Sequence, residues 1–415
     1  MLPRMGSGGG RRLSWEPRWA VLTASFVTLV LVQGATFSFP VFLVPLTTEF
    51  GGLRGVAAAA FSLHNLVVGV AATVVDPVMG RFGERRVFAV GALILGAGLA
   101  LAGTAGSMPA LVLWFGLVAG AGAGLLGSVA QTVMLSRWFP TARGTVVGLA
   151  LSGMGLGMAI FAPLTAFLIE RLGWRMAFAT LGGVTALLLL PTIGLTPPES
   201  PPVMTSGPTK PGESRLRTIV RTPRFWCFAA AFFCTPLSNF VVTTHQVAHI
   251  VEAGVEPRWA ATAFGAMGLL SAVGRASFGA LSDRWGRVPI ALASYAATAT
   301  GTLALMLMGP GQPIWLLYAF VFPFGLTLGA RAPIVAALAA DFYRGRSYGA
   351  VLGLITFGNR LGSAIGPWLG GVIYDLTGSY RAAFAMSIAA LVGAALALAA
   401  AGRGVPGEAG AARPG

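Results

Sequence analysis

Charged residues are scarce in this sequence, and acidic residues are the scarcest of them. Of 415 residues only 10% are charged, with 28 Lys or Arg against 13 Asp or Glu and a net charge of +15. A soluble domain carries about 25% charged residues, so this scarcity excludes an ordinary soluble protein. The mean hydropathy of +0.78 indicates a polytopic membrane protein. The basic residues lie in short segments between apolar runs, where they indicate topology and not a nucleic-acid-binding surface.

Residues that could build a reactive centre are also rare. The two cysteines, Cys227 and Cys234, lie in one apolar run without metal-ligand spacing, so we interpret them as packing residues. The sequence lacks a phosphate-binding G-x-x-x-x-G-K-[ST] loop, a nucleophile paired with a base and a cluster of metal ligands. We therefore expect a protein that is not an enzyme, has no metal or cofactor and does not use ATP. Residues 1–18 lack the apolar core of a cleavable signal peptide.

Long apolar runs are abundant. About 20 residues suffice for a helix to cross the hydrocarbon core of a bilayer, and the sequence contains twelve such runs. They are residues 19–46, 56–75, 87–105, 110–135, 144–169, 176–195, 225–251, 259–281, 288–308, 314–340, 348–374 and 382–401. The predicted fold class is therefore an all-α integral membrane protein with twelve transmembrane helices.

The chain divides into two related halves. Residues 196–224 form the longest polar segment and are predicted to be a linker between six-helix bundles at 19–195 and 225–401, with tails at 1–18 and 402–415. Glycines recur at a constant offset of 205, since Gly148, Gly153, Gly157 and Gly173 match Gly353, Gly358, Gly362 and Gly378. Two pseudo-symmetric bundles that rock around a midplane site are the architecture of many secondary transporters.

The distribution of basic residues predicts the orientation. Most of the 28 Lys and Arg residues lie in the tails and in one alternate set of connecting segments. The other set contains only Arg54, Arg171, Arg175, Arg258 and Arg381. Because basic segments stay on the cytoplasmic side, we predict a multi-pass protein of the plasma (inner) membrane with both termini in the cytoplasm.

Three arginines, Arg275, Arg331 and Arg360, lie inside predicted spans, and no acidic residue lies at mid-depth. A charge at the bilayer centre costs at least ~2.5 kcal/mol and is kept where it has a partner, a wet cavity or a ligand. We predict that Arg275 and Arg360 bind an anionic substrate, since guanidinium groups can hold a carboxylate through paired hydrogen bonds. Structural arginines bonded to carbonyls are the alternative. Arg331 lies about 15 Å from the predicted cytoplasmic face and is assigned a gating or structural role.

Polar residues in other spans complete the predicted substrate site. Asn239 and His245 lie in the seventh span, and His245 is a candidate for proton coupling or substrate binding because histidine titrates near neutral pH. The alternative is a neutral histidine packed against a carbonyl. In the first half, Gln131 is a candidate substrate-binding residue, together with the secondary candidates His64 and Asn65.

The segment Gly279-Ala-Leu-Ser-Asp283-Arg284-Trp-Gly286-Arg287 resembles the signature loop of the major facilitator superfamily. In that superfamily the loop follows the second helix of each half. The resemblance implies that Asp283, Arg284 and Arg287 lock the cytoplasmic gate in one state. The first copy of the loop keeps Arg81 but has Gly80 in place of the Asp, and Asp76 is the candidate substitute.

A narrower resemblance is to the monocarboxylate transporter and oxalate:formate antiporter group. It rests on Phe37-Ser-Phe-Pro40-Val-Phe-Leu-Val-Pro45-Leu-Thr-Thr-Glu49-Phe50, on Arg143-Gly-Thr-Val-Val-Gly-Leu-Ala, on Gly173-Trp174-Arg175 and on Arg275. It implies that Arg275 contacts the substrate carboxylate beside a basic residue in the eleventh helix, here Arg360. Ser271 replaces an Asp of mammalian-type members, and the first span lacks their Lys, so their proton-coupling scheme does not carry over.

The expected function is secondary active transport of small organic anions, mono- or dicarboxylates, by alternating access. Proton symport and anion exchange are both open. The expected partners are the anion, protons and the lipid bilayer, with no nucleic acid, and the expected functional unit is a monomer. Efflux of hydrophobic compounds is an alternative that superfamily membership allows, although buried arginines argue against it. A non-transporting membrane sensor of the same fold is a second alternative.

Overall fold

The computed structural model describes residues 17–140, 143–197, 218–343 and 348–402. Most of the two predicted tails and residues 198–217 of the predicted linker lie outside these ranges. All regular elements within the described ranges are helices. This result confirms the predicted all-α membrane fold.

The first half of the chain folds into the N-terminal bundle. Its helices are α1 (Pro17–Phe37), α2 (Phe39–Glu49), α3 (Arg54–Phe82), α4 (Glu84–Ala102), α5 (Met108–Leu111), α6 (Gly120–Leu126), α7 (Ser128–Trp138) and α8 (Arg143–Gly194), with a π-helical segment at Val112–Ala119. Helix α8 consists of two helices joined at Gly173, where φ is 76°. Helices α1 and α2 are divided at Ser38, two residues before Pro40, because a proline ring supplies no N–H for the helical hydrogen-bond ladder.

The second half folds into the C-terminal bundle. Its helices are α9 (Pro223–Glu252), α10 (Pro257–Trp285), α11 (Arg287–Leu307), α12 (Trp315–Leu328), α13 (Arg331–Phe342), α14 (Tyr348–Thr377) and α15 (Tyr380–Gly402). The predicted span 314–340 is not one continuous helix, because it is interrupted at Gly329 and Ala330 between α12 and α13.

Nine helical stretches of the described chain are long and apolar enough to cross a membrane. One of them, Arg143–Gly194, contains two of the predicted spans because of the break at Gly173. The two predicted spans outside these nine stretches correspond to the interrupted pair α12 and α13, in which Trp315–Leu328 is a shorter apolar helix, and to α14.

The charged segments after the second and eighth predicted spans are mostly helical. The spans were predicted to end at residues 75 and 281, but α3 continues to Phe82 and α10 to Trp285. Asp76, Arg81, Asp283 and Arg284 therefore lie on helices, and the predicted loops shrink to Gly83 and Gly286. Both glycines have positive φ, 83° and 92°, a conformation that glycine adopts at little cost. The predicted spans end too early because they were bounded by hydropathy, which excludes charged residues. Charged residues at a membrane surface can still belong to the helix.

The helix ends define two faces of the molecule. The face called here the basic face contains the C-terminal ends of α3, α7, α10 and α13, and the opposite face contains the C-terminal ends of α2, α9 and α14. The two bundles meet along α8 with α10 and along α3 with α14. These contacts are close because the glycines in them have no side chain. The backbones of Gly155 and Gly268 touch, and a β-carbon at Gly371 would lie 2.6 Å from the carbonyl oxygen of Arg54.

Candidate substrate-binding site

A cavity of about 1040 Å³ lies between the two bundles and is lined by both of them. It extends from Phe37 and Phe240 near the middle of the molecule to Gly144 and Thr145 in the first turn of α8. Since α8 begins at the basic face, the cavity opens toward that face.

Aromatic rings close the inner end of the cavity. The ring of Phe37 lies 6.4 Å from that of Phe240 and 6.4 Å from that of Phe264, centroid to centroid, across the boundary between the bundles. Closer to the opposite face, Arg258 of α10 pairs with Glu170 of α8 at 2.5 Å. The passage to the opposite face is therefore blocked by an aromatic layer and by ion pairs between bundles.

Two helices are interrupted where they line the cavity. Gly127, between α6 and α7, has an extended backbone with φ −69° and ψ −174°, and Gly329 separates α12 from α13. A β-carbon at Gly329 would lie 2.6 Å from Nε of Arg275. Interrupted helices around a midplane site recur in secondary transporters, and here Gly329 also leaves room for a guanidinium group.

Arg275 lines the cavity and is held loosely. Its Nη1 donates to the carbonyl oxygen of Leu151 in the other bundle at 3.2 Å, and its Nη2 lies 3.5 Å from Oγ of Ser271. Within the described residues it has no carboxylate partner. A guanidinium group has five N–H donors, so this side chain keeps donors for a ligand.

Arg360 lines the same cavity from α14. Its aliphatic part packs against helix α3, where a β-carbon at Gly69 would lie 3.1 Å from Cβ and from Cγ of Arg360. Its guanidinium group makes no hydrogen bond and no ion pair within the part of the chain that the structure describes. The structure thus places Arg275 and Arg360 in one cavity, and within the described residues the charge of Arg360 is uncompensated.

Arg331, to which the sequence assigned a gating or structural role, also lies on the cavity wall. It is buried, with 5% of its surface exposed, and its guanidinium carbon lies 4.9 Å above the ring of Tyr295. Its Nη1 donates to Oγ1 of Thr298 at 3.0 Å, and its Nη2 donates to Oδ1 of Asn239 at 3.2 Å. Because arginine can only donate, the amide oxygen of Asn239 must face it, and the NH₂ group of Asn239 remains a donor for the cavity.

Two predicted substrate-binding residues lie away from the cavity wall. His245 is fully buried, and its Nε2 lies 2.8 Å from the carbonyl oxygen of Pro367, which is the structural alternative considered above. Gln131 is buried and donates from Nε2 to the carbonyl oxygen of Leu126 at 3.1 Å. Both side chains point into their own bundle because of the rotation of their helices, which the sequence does not show.

A pair of residues in the N-terminal bundle emerges as part of the site. Thr36 and His64 line the inner end of the cavity, and Oγ1 of Thr36 lies 3.2 Å from Nε2 of His64. The other ring nitrogen of His64, Nδ1, lies 3.1 Å from the carbonyl oxygen of Phe115 in the π-helical segment. The sequence placed His64 only among the secondary candidates, because nothing local shows that α1 and α3 bring it beside Thr36.

Two of the predicted gate residues, Asp76 and Arg287, form ion pairs at the basic face, each within its own bundle. Arg287 pairs with Asp341 at the end of α13. In the N-terminal bundle Arg137 pairs with Asp76 at 2.6 Å and with Glu84 at 2.8 Å. Asp283, Arg284 and Arg81 are exposed, and none of the three has an ion pair within the described residues. The partners Asp341, Arg137 and Glu84 were not predicted, because they lie in other helices.

The fold and the cavity define a membrane transporter with a central site between two helical bundles. The chain matches the family model of the Major Facilitator Superfamily over residues 24–330 and 260–414, and it therefore belongs to the major facilitator superfamily. Among its relatives, Monocarboxylate transporter 13 from Bos taurus is 27% identical, over 90% of this chain and 87% of the relative. Monocarboxylate transporter 11 from Mus musculus is 29% identical, over 88% of this chain and 83% of the relative.

The fold is also similar to that of solved transporters. A crystal structure of a nucleoside transporter superposes with a TM-score of 0.78 at 12% sequence identity, over 94% of this chain and 100% of the other. This likeness supports the fold and does not concern the substrate. The resemblance to monocarboxylate transporters seen in the sequence motifs is confirmed by the relatives.

Proposed function

We propose that this protein is a secondary transporter for small organic anions, working by alternating access in the plasma (inner) membrane. The observation that carries the proposal is the charge of the cavity wall. Arg275, Arg331 and Arg360 all line it, and no Asp or Glu lines it among the residues that the structure describes. A cavity with three guanidinium groups and no carboxylate attracts anions and repels cations.

The geometry supports a division of roles among the cavity residues. Within the described residues the guanidinium group of Arg360 makes no hydrogen bond, and that of Arg275 makes only long ones of 3.2–3.9 Å to Leu151, Ser271 and Met154. Both can therefore offer forked donors to a carboxylate. Asn239 adds an N–H donor whose direction Arg331 fixes. Hydrogen bonds to charged groups contribute about 1.5–3 kcal/mol each, which makes Arg275 and Arg360 the main anchors.

The rest of the wall suits the carbon skeleton of an organic acid. The cavity is lined by many apolar side chains, including Phe37, Phe240, Val147, Leu151 and Met158. An inorganic anion would gain nothing from these contacts, whereas an alkyl or aryl carboxylate would bury apolar surface there. The names of the relatives, monocarboxylate transporters, support the same class of substrate.

The structure corresponds to one end of the transport cycle. We assign the basic face to the cytoplasm, because basic segments stay on that side. The cavity then opens to the cytoplasm, and the opposite face is closed by Arg258–Glu170 and by contacts of Arg54 with the C-terminal bundle. Closing the basic face while opening the opposite one would carry the anion across.

The test is transport by the purified protein in liposomes. We expect uptake of labelled pyruvate, lactate or phenylpyruvate, and a loss of at least about tenfold in Arg275→Gln and in Arg360→Gln, since each removes a charged anchor. Arg171→Gln is the matched control, because Arg171 is exposed and lies outside the cavity.

The outcomes separate the alternatives. Uptake of the anions that survives in both cavity variants would show that the arginines are structural. A wild-type protein that moves hydrophobic cations and none of these anions would favour efflux. A protein that binds anions without moving them would favour a sensor.

A further inference from the structure

Thr36 and His64 lie together at the inner end of the cavity. Thr36 is 7% exposed, whereas His64 has no exposed surface. Phe115 contacts the other side of the histidine, with ring centroids 4.8 Å apart and its carbonyl oxygen 3.1 Å from Nδ1. Because only Thr36 of this pair has exposed surface, a ligand in the cavity can contact Thr36 but not the histidine ring.

The carbonyl oxygen of Phe115 fixes the proton on the histidine ring. A carbonyl only accepts hydrogen bonds, so Nδ1 must carry a hydrogen and donate it. In neutral His64 the second nitrogen, Nε2, then has a lone pair and accepts the Thr36 hydroxyl hydrogen. Thr36, which lines the cavity, then has only acceptor lone pairs left for a ligand, and these cannot bond a carboxylate.

Protonation reverses this arrangement. In the imidazolium form both ring nitrogens donate, so Nε2 donates to Oγ1 of Thr36. The Thr36 hydroxyl hydrogen is then released toward the cavity and can bond a carboxylate oxygen. One proton on a buried ring thus changes the cavity wall from an acceptor into a donor for an anion.

We propose that the Thr36–His64 pair couples anion binding to proton binding. When His64 is protonated, the Thr36 hydroxyl becomes a hydrogen-bond donor to the substrate. This inference rests on the proposed transport of organic anions, and it selects proton symport over simple exchange. Coupling of this kind is reciprocal, because a proton that strengthens anion binding is itself held more tightly when the anion is present.

The charges around His64 oppose its protonation unless an anion is bound. The titratable residues of the elements packed around His64 are Arg18 on α1 and Arg54, Asp76 and Arg81 on α3, and the π-helical segment and α6 contain none. All four lie at helix ends, the nearest about 15 Å along α3 from His64. The cavity itself contributes Arg275, Arg331 and Arg360, which oppose a further positive charge. A bound carboxylate is the negative charge that can offset the proton.

The second half of the chain contains a fixed version of the same arrangement. Asn239 lies 203 positions after Thr36, the offset that also relates Arg81 to Arg284. Asn239 is held from behind by Arg331, which stays protonated. The donor presented by Asn239 is therefore permanent, whereas the donor presented by Thr36 depends on pH.

The experiment measures protons and anion together on the purified transporter, with pyruvate as the probe. In weakly buffered solution with a pH indicator, we expect pyruvate binding to the wild type to take up close to one proton. Its Kd is expected to rise by up to tenfold for each pH unit above neutrality. His64→Gln should bind pyruvate with no proton uptake and no pH dependence. The glutamine amide can donate to the Phe115 carbonyl but cannot take up a proton.

Variants of Thr36 test whether its hydroxyl links the protonation of His64 to anion binding. Thr36→Val should bind pyruvate with much weaker pH dependence, and Thr36→Ser should restore it, because serine keeps the hydroxyl. His245→Gln is the control histidine, since His245 is bonded to Pro367 and lies outside the cavity. It should keep the wild-type proton uptake.

Several results would overturn the proposal. Proton uptake that persists in His64→Gln would place the proton elsewhere. Wild-type pyruvate binding without proton uptake, combined with pyruvate exchange in liposomes, would leave the transport function standing and remove the coupling. Binding of none of pyruvate, lactate and phenylpyruvate by the wild type would reject the transport function and this inference with it.

Discussion

The carboxylate of Asp375 in the C-terminal bundle caps helix α3 of the N-terminal bundle at Arg54. Its Oδ1 accepts from the backbone N–H of Arg54 at 2.8 Å, and its Oδ2 accepts from that of Gly55 at 2.8 Å. The first N–H groups of a helix have no partner within the helix, and Leu53 at the N-cap supplies no side-chain acceptor. The side chain of Arg54 meanwhile pairs with Glu252 and lies 4.2 Å above the ring of Tyr374. This cap exists only while the bundles touch at the opposite face.

Removing the cap should shift the protein toward the state that is open at the opposite face. Loss of an N-cap costs about 0.5–2 kcal/mol, so Asp375→Ala should move the equilibrium roughly fivefold for a cost of about 1 kcal/mol. The measurement is labelling of Val251→Cys by an impermeant maleimide in a background with Cys227→Ala and Cys234→Ala. Val251 lies between the bundles near that face.

Glu256→Ala is the matched control for this prediction. Glu256 is also an exposed acid at the opposite face but makes no bond between the bundles within the described parts of the chain. Equal labelling rates in Asp375→Ala and in the parent protein would show that the cap does not hold the closed state.

A methyl group added at the same contact should also shift the protein toward the state that is open at the opposite face. A β-carbon at Gly371 would lie 2.6 Å from both the carbonyl carbon and the oxygen of Arg54, and a contact this short forces the backbones apart. Overpacking typically costs about 1–3 kcal/mol, so Gly371→Ala should raise labelling of Val251→Cys or lower the melting temperature. Gly393→Ala is the control, because nothing lies within 4 Å of its β-carbon position. The idea fails if the two variants behave alike.

Asp283 and Arg143 should pair when the basic face closes. Helices α8 and α10 run antiparallel, with Gly155 touching Gly268 and the Leu151 carbonyl bonded to Arg275. Continuing this register toward the basic face places Arg143 opposite Asp283, and both are exposed in the cavity-open state. Asp283→Arg and Arg143→Asp should each slow transport, and the double variant should recover much of it. A double variant no faster than the slower single variant would reject the pairing.

The arginines of the cavity should differ in their effect on stability. Arg331 satisfies three buried acceptors, Ser294, Thr298 and Asn239, so Arg331→Gln should destabilise the ligand-free protein by on the order of 2 kcal/mol. Arg360→Gln should leave its melting temperature unchanged or raised, because it removes a charge that has no partner among the described residues. Calorimetry that finds Arg360→Gln less stable than Arg331→Gln would contradict these roles.

The candidate site was partly readable from the sequence. Arg275 and Arg360 could be predicted to bind an anion because a charge in an apolar run needs a ligand, a partner or water, and the resemblance to oxalate:formate antiporters implied that they lie beside each other. Arg331 gave the same local signal, but its bond to Asn239 joins residues 92 positions apart, and no local pattern encodes that pairing. His245 gave the signal of a proton carrier, yet the rotation of α9 turns it to the Pro367 carbonyl.

The sequence by itself determined the membrane setting, the two related halves and the positive character of the central site. These follow from hydropathy, from repeated spacing and from the cost of burying charge, which are properties of each segment alone. The tertiary structure decided which arginine is free, that Thr36 meets His64, and that Asp375 caps a helix 320 residues away. These relationships depend on how helices rotate and pack against each other, and small changes in that rotation exchange the residues that face the cavity for those that face the interior of a bundle.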